Sequence, residues 1–127
     1  MQKQKGFTLS ELLIVVAIIA VLVSIAVPIF TNQLHKARVA ADIANVRSYY
    51  SELQYEFLQN GGVYDDSLIT NFDGHLTSGK TSFKLDGNTI KLTEGYLWIA
   101  KESDQTKGYN LYYICKKGDH EMTLPND

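Results

Sequence analysis

The sequence predicts an α+β fold in which one long N-terminal helix, half membrane-spanning and half amphipathic, packs on a small antiparallel β-sheet. Three observations predict it. From Leu12 to Val23 every residue is Leu, Ile, Val or Ala, and the run resumes after Ser24 as IAVPIF, which is the composition of a membrane span. Val39, Ile43, Val46, Tyr50, Leu53 and Phe57 then recur at alternating four- and three-residue spacings, one stripe of a helix. Beyond Gly62 the pattern becomes short β-branched and aromatic runs divided by turn residues, the signature of strands.

Taken in order, residues 1–6 (MQKQKG) are a polar, basic leader and residues 7–30 an apolar helix. At about 1.5 Å per residue the latter spans about 36 Å, enough for a hydrocarbon core of about 30 Å. Pro28 removes a backbone donor and crowds the carbonyl of Ser24, so a kink is expected there, one that a membrane helix tolerates. Residues 31–60 continue the helix amphipathically, with Lys36, Arg38, Asp42, Arg47, Glu52 and Glu56 on the wetted side, and Asn60–Gly62 end it because Asn and Gly accept the left-handed conformation. Residues 61–127 form the head. Residues 63–80 read as a loop with at most a helical turn near 67–71, and 81–85 and 89–92 as a hairpin turning on Asp86-Gly87-Asn88. Residues 95–101 and 108–116 supply further strands, giving a sheet of three or four strands whose one apolar face the helix stripe covers.

The 127 residues carry a net charge of −2 with signs interspersed, so charge names no polyanionic partner. Cys115 is the single cysteine, which excludes an internal disulfide and the cysteine-rich frameworks. His75 with Asp73 in FDGHL, and GDHE at Gly118–Glu121, each offer one His without a second His or Cys at ligand spacing, and read as solvated turns. Cys115 alternates with apolar neighbours and reads as a small buried residue. His35 reads as interfacial, just past the span. Asp65 and Asp66 suit calcium chemically, but oxygen ligands to complete a shell are not visible. No catalytic residue, metal site or cofactor is expected.

The stretch KGFTLSELLIVV sets a carboxylate, Glu11, at the mouth of the apolar run. Extended through that run, GFTLSELLIVVAIIAVLVSIAVPIF resembles the class III signal sequence of type IV pilins and the related pseudopilins: a basic leader ending in Gly, then Phe, an acid four residues on, and an apolar helix with a distal proline. The resemblance implies cleavage between Gly6 and Phe7 by a prepilin peptidase, N-methylation of Phe7, and a role for Glu11 in assembly. It implies a pilin-like fold and a bacterial subunit, held first as a single pass in the cytoplasmic membrane. An assembly platform and its ATPase would then draw the subunit into a self-assembled helical filament at the cell surface. Lys3 and Lys5 would hold the leader in the cytoplasm. Many Gram-negative pilins close a C-terminal loop with a disulfide; one cysteine departs from that pattern and is compatible with a Gram-positive source. Physical chemistry supports the role of Glu11: a carboxylate costs about 2.5–3.5 kcal/mol at mid-bilayer and less near the interface, so it needs a partner. Cleavage creates one, the cationic α-amine of Phe7, within a helical turn.

Three other readings compete. A pseudopilin of a type II secretion or competence DNA-uptake system would share the same N-terminus. Losing Lys3 and Lys5 leaves 10 basic against 14 acidic residues, net −4, so no specific nucleic-acid surface is evident. A secretory signal peptide would be cut after SIA at Ser24–Ala26, but the polar TLSE sits where its apolar core should begin. A membrane-anchored enzyme would need a polar constellation that the 61–127 segment does not display.

Overall fold

A computed structural model describes residues 6–70, 79–104 and 107–125, in two units, Met1–His35 and Lys36–Asp127. Helix α1 covers Leu9–Gln59 with Pro28 inside it. In the first unit every residue from Gly6 to Gln33 is exposed, although the apolar side chains dominate. Hydroxyls within this apolar stretch are satisfied locally: Ser24 Oγ donates to the Val21 carbonyl at 2.7 Å and Thr31 Oγ1 to the Pro28 carbonyl at 3.0 Å. Such bonding leaves no polar hydrogen to be solvated by lipid.

In the second unit the helix turns Val39, Val46, Tyr49, Leu53 and Phe57 into the core. The predicted stripe is displaced by one position at two places, because Tyr49 is buried where Tyr50 was expected, and Asp42 is buried beside a half-buried Ile43. Asp42 therefore does not belong to the wetted side. Its carboxylate accepts from the Thr93 and Glu94 amides at 2.9 and 2.8 Å, the Thr93 hydroxyl at 3.2 Å and the Tyr113 hydroxyl at 3.0 Å, and a charge so fully bonded survives burial. His35, read as interfacial, is also buried. The helix closes with Gly62 N–H on the Phe57 carbonyl and Gly61 N–H on that of Leu58, a Schellman pair that needs the positive φ of Gly61.

The strands form two sheets rather than one. β1 (Ser82–Leu85) and β2 (Asn88–Lys91) make a separate hairpin, while β3 (Gly95–Lys101), β4 (Tyr109–Cys115) and β5 (Glu121–Leu124) make an antiparallel sheet in the order β3-β4-β5. The hairpin turns on Asp86 and Gly87, both at positive φ, with Leu85 opposite Asn88, the two-residue turn that Asp-Gly favours. Between the sheets, Thr93 and Glu94 give their amides to Asp42 instead of a strand partner, so the ladder breaks there. The third strand of the larger sheet is β5, which pairs Leu111 with Leu124 and which the sequence reading assigned to no strand.

The core is the helix face against both sheets. Tyr49 stacks on Phe83 with ring centroids 4.4 Å apart, and Leu97, Ile99, Leu111 and Tyr113 are fully buried. Tyr113 pairs with Leu97 on β3, and its ring passes over Gly95, where any Cβ would overlap the phenol. The apolar surface is not confined to one face: Trp98 alternates with Leu97 and Ile99 yet is 0% exposed, with Gly79 lying against its ring. Residues 65–69 form successive turns closed by Leu68 and Ile69 amides on the Asp65 and Asp66 carbonyls; the remainder of the expected helical turn, at Asn71, lies outside the described residues.

Candidate functional site

The N-terminal segment is built by local bonding. Thr8 Oγ1 accepts the Glu11 amide and a Glu11 carboxylate oxygen accepts the Thr8 amide, each at 3.3 Å. Thr8-Leu9-Ser10-Glu11 is thus a capping box, in which two of the helix's unsatisfied N–H groups are met reciprocally. The acid also sits in the first turn, where the helix dipole favours it. Thr8 was missed as a functional residue; the T-x-x-E spacing before an apolar run was the signal that would have found it.

The cap sets what precedes it. Gly6, Phe7 and Thr8 lie outside the helix, so the Gly6–Phe7 peptide is not locked into a helical hydrogen-bond ladder, which a peptidase would have to unwind. Among the described residues nothing lies within 4 Å of where a Cβ at position 6 would be. Phe7 is 81% exposed. From Leu9 to Phe30 the apolar side chains remain exposed, and α1 is long and apolar enough to cross a membrane. An apolar cylinder of this length is not a stable surface in water and requires lipid or other protein around it.

Other residues named from the sequence have separate fates. His75 and Asp73 lie outside the described residues. Asp65 is exposed and held below the usual carboxylate range by the hydroxyl and amide of Ser67, which donate at 2.6 and 2.9 Å. Asp66 pairs instead with Lys101 at 2.7 Å, so these two carboxylates do not converge on one centre. By contrast Cys115 and the GDHE turn, treated apart in the sequence, come together: Cys115 Sγ donates to Asp119 Oδ1 at 3.1 Å, and His120 Nδ1 lies 2.9 Å from the same oxygen.

Comparison with known proteins bears on the capped, apolar N-terminus directly. The family described as the prokaryotic N-terminal methylation motif matches residues 1–27. A type IV narrow pilus major component of Thermus thermophilus is 43% identical over 91 residues, covering 68% of this chain and 76% of that protein. The chain belongs to the type IV pilin family. A type IV major alpha-pilin of Moraxella bovis is 33% identical over 97 residues, 74% of this pilin and 60% of the relative. A prepilin peptidase-dependent protein of Escherichia coli is 38% identical over 63 residues, half of this chain and 43% of the other. No solved structure matches. This pilin carries the N-terminal methylation motif and is a peptidase-processed pilus subunit, and the pseudopilin reading is not better supported.

Proposed function

We propose that the protein is the repeating shaft subunit of a type IV pilus-like filament, cut after Gly6, methylated on Phe7 and assembled through residues 7–30. The observation that carries this is the exposed apolar helix, fully uncovered in the single chain, behind a non-helical Gly6-Phe7-Thr8 segment. In the membrane lipid covers that surface and in a filament other copies do, so the transfer is nearly balanced and a platform with an ATPase motor supplies the difference. Residues 31–60 and 61–127 then form the externally displayed part, and the kink at Pro28 lets the helix adapt to its neighbours. The major-component names of the Thermus and Moraxella relatives favour an abundant subunit over a tip protein. The head works as structure rather than as a catalyst, and its single cysteine remains consistent with a Gram-positive source.

Glu11 has two available roles, and one substitution separates them. As a capping residue it needs only an acceptor at the third helical position, which Gln supplies as well as Glu. As the partner of the Phe7 amine on a neighbouring copy it needs the charge, because an unpaired carboxylate among apolar helices is costly and enforces axial register. The charge role predicts that Glu11→Gln is processed normally but yields few filaments in a shearing assay, as does Glu11→Ala. Wild-type yield from Glu11→Gln would reduce Glu11 to a cap.

A further inference from the structure

We propose that the β4–β5 turn is a binding site for one divalent transition-metal ion, Zn²⁺ by donor chemistry, held by Cys115, Asp119 and His120. The thiol sulfur, a carboxylate oxygen and an imidazole nitrogen lie within 4.8 Å of one another. A tetrahedral ion at about 2.0 Å from nitrogen and oxygen and about 2.3 Å from sulfur sets neighbouring donors about 3.3–3.5 Å apart. The present separations of 3.1 Å and 2.9 Å to Asp119 Oδ1 need open by only a few tenths of an ångström. Three of the four donors that a tetrahedral ion takes are therefore gathered at one turn.

The turn is rigid enough to hold them. Cys115 N–H donates to the His120 carbonyl at 2.9 Å and Gly118 N–H to the Cys115 carbonyl at 2.8 Å, and Gly118 takes the positive φ that the tight return requires. Cys115 is fully buried while the side chains of Asp119 and His120 are part-exposed, so an ion has an anchored base and a route in from solvent.

Alternatives for the cluster are weaker on the same geometry. The Asp119 carboxylate contacts both the thiol and the imidazole, whereas a nucleophilic cysteine requires a base against its sulfur. Burial, and after it the Asp119 carboxylate, raise the thiol's pKa, and a metal binding there would displace the thiol proton. A disulfide within the chain is excluded by the single cysteine. Calcium and magnesium prefer all-oxygen shells, whereas thiolate with imidazole selects Zn²⁺ and its neighbours in the first transition row.

The test uses the full chain in detergent, titrated with Zn²⁺, and with Co²⁺ as a spectroscopic probe. The expected result is one ion per chain, a thiolate-to-cobalt charge-transfer band, and a higher melting temperature with the ion bound. His120→Gln, on the part-exposed turn, should retain the folded head by Trp98 fluorescence and weaken binding at least about tenfold, the loss that removing even an outer partner of a metal ligand causes. Cys115→Ser should abolish the charge-transfer band. Binding that persists unchanged in His120→Gln, or cobalt binding without a thiolate band in the unaltered chain, would overturn the site, as would no saturable binding of either ion.

Discussion

Residues 9–35 and 36–59 belong to one helix and bury their side chains by opposite rules. In the first stretch most residues are apolar and nearly every one is exposed; in the second a carboxylate, Asp42, is 2% exposed while the apolar Leu58 is 73% exposed. Hydrophobicity alone therefore does not say which side chains this pilin buries within a single chain. What distinguishes the two is the availability of partners: the second stretch has sheets to cover it and donors for its acid, and the first awaits lipid or other copies of itself.

The contrast predicts that the two regions fail in different ways. The largest effect belongs to Gly6→Val, which should leave an uncleaved, longer membrane protein with a normally folded head; normal processing on a mass measurement would contradict it. Next is Asp42→Ala, which strands the Thr93 and Glu94 amides and the Tyr113 hydroxyl and should cost the head about 3–5 kcal/mol. Urea unfolding followed by Trp98 fluorescence measures this, with cleavage at Gly6 unaffected. A loss below about 1 kcal/mol would mean that Asp42 does not pin the helix to the sheet.

A smaller effect should appear at alkaline pH. Burial first, then the Glu56 and Glu52 carboxylates, raise Tyr49 from 10.0 to about 12; burial and the bond to Asp42 raise Tyr113 in the same direction. Because the folded head favours the neutral phenols, their contribution is complete below pH 10. For Tyr49 it fades as pH rises towards about 12. Burial also raises Tyr109, so absorbance titration should show three late-ionising tyrosines, and Tyr113→Phe should remove one while costing about 1 kcal/mol. The smallest effect is that of Thr8→Ala, which removes half of the capping box and should fray the first turn at a cost of about 0.5–2 kcal/mol. Amide exchange at Leu9–Glu11 would report it, and unchanged protection there would show that the cap does not hold the helix start.

Much of the fold was legible because its signals are local. The helix and its glycine stop, the Asp86-Gly87 turn and the two long strands each depend on residues close in sequence. β5 was missed because Glu121–Leu124 is short and begins with a charge, and its strand character comes from pairing with β4. The split into two sheets was equally hidden, since nothing in Thr93-Glu94 announces that its amides serve a carboxylate some fifty positions earlier. At the N-terminus Glu11 was noticed and Thr8 was not, although both halves of the box stand in the sequence.

The sequence by itself determined the apolar helix, the position of its acid and the processing motif, because composition and contacts within a turn or two suffice for these. Only the tertiary structure decided that Asp42 is buried, that Gly95 makes room for Tyr113, and that Cys115, Asp119 and His120 meet at the end of the sheet. Each of these depends on a strand pairing or a helix-to-sheet contact, and the free energy of such contacts belongs to the assembled head rather than to any segment of it.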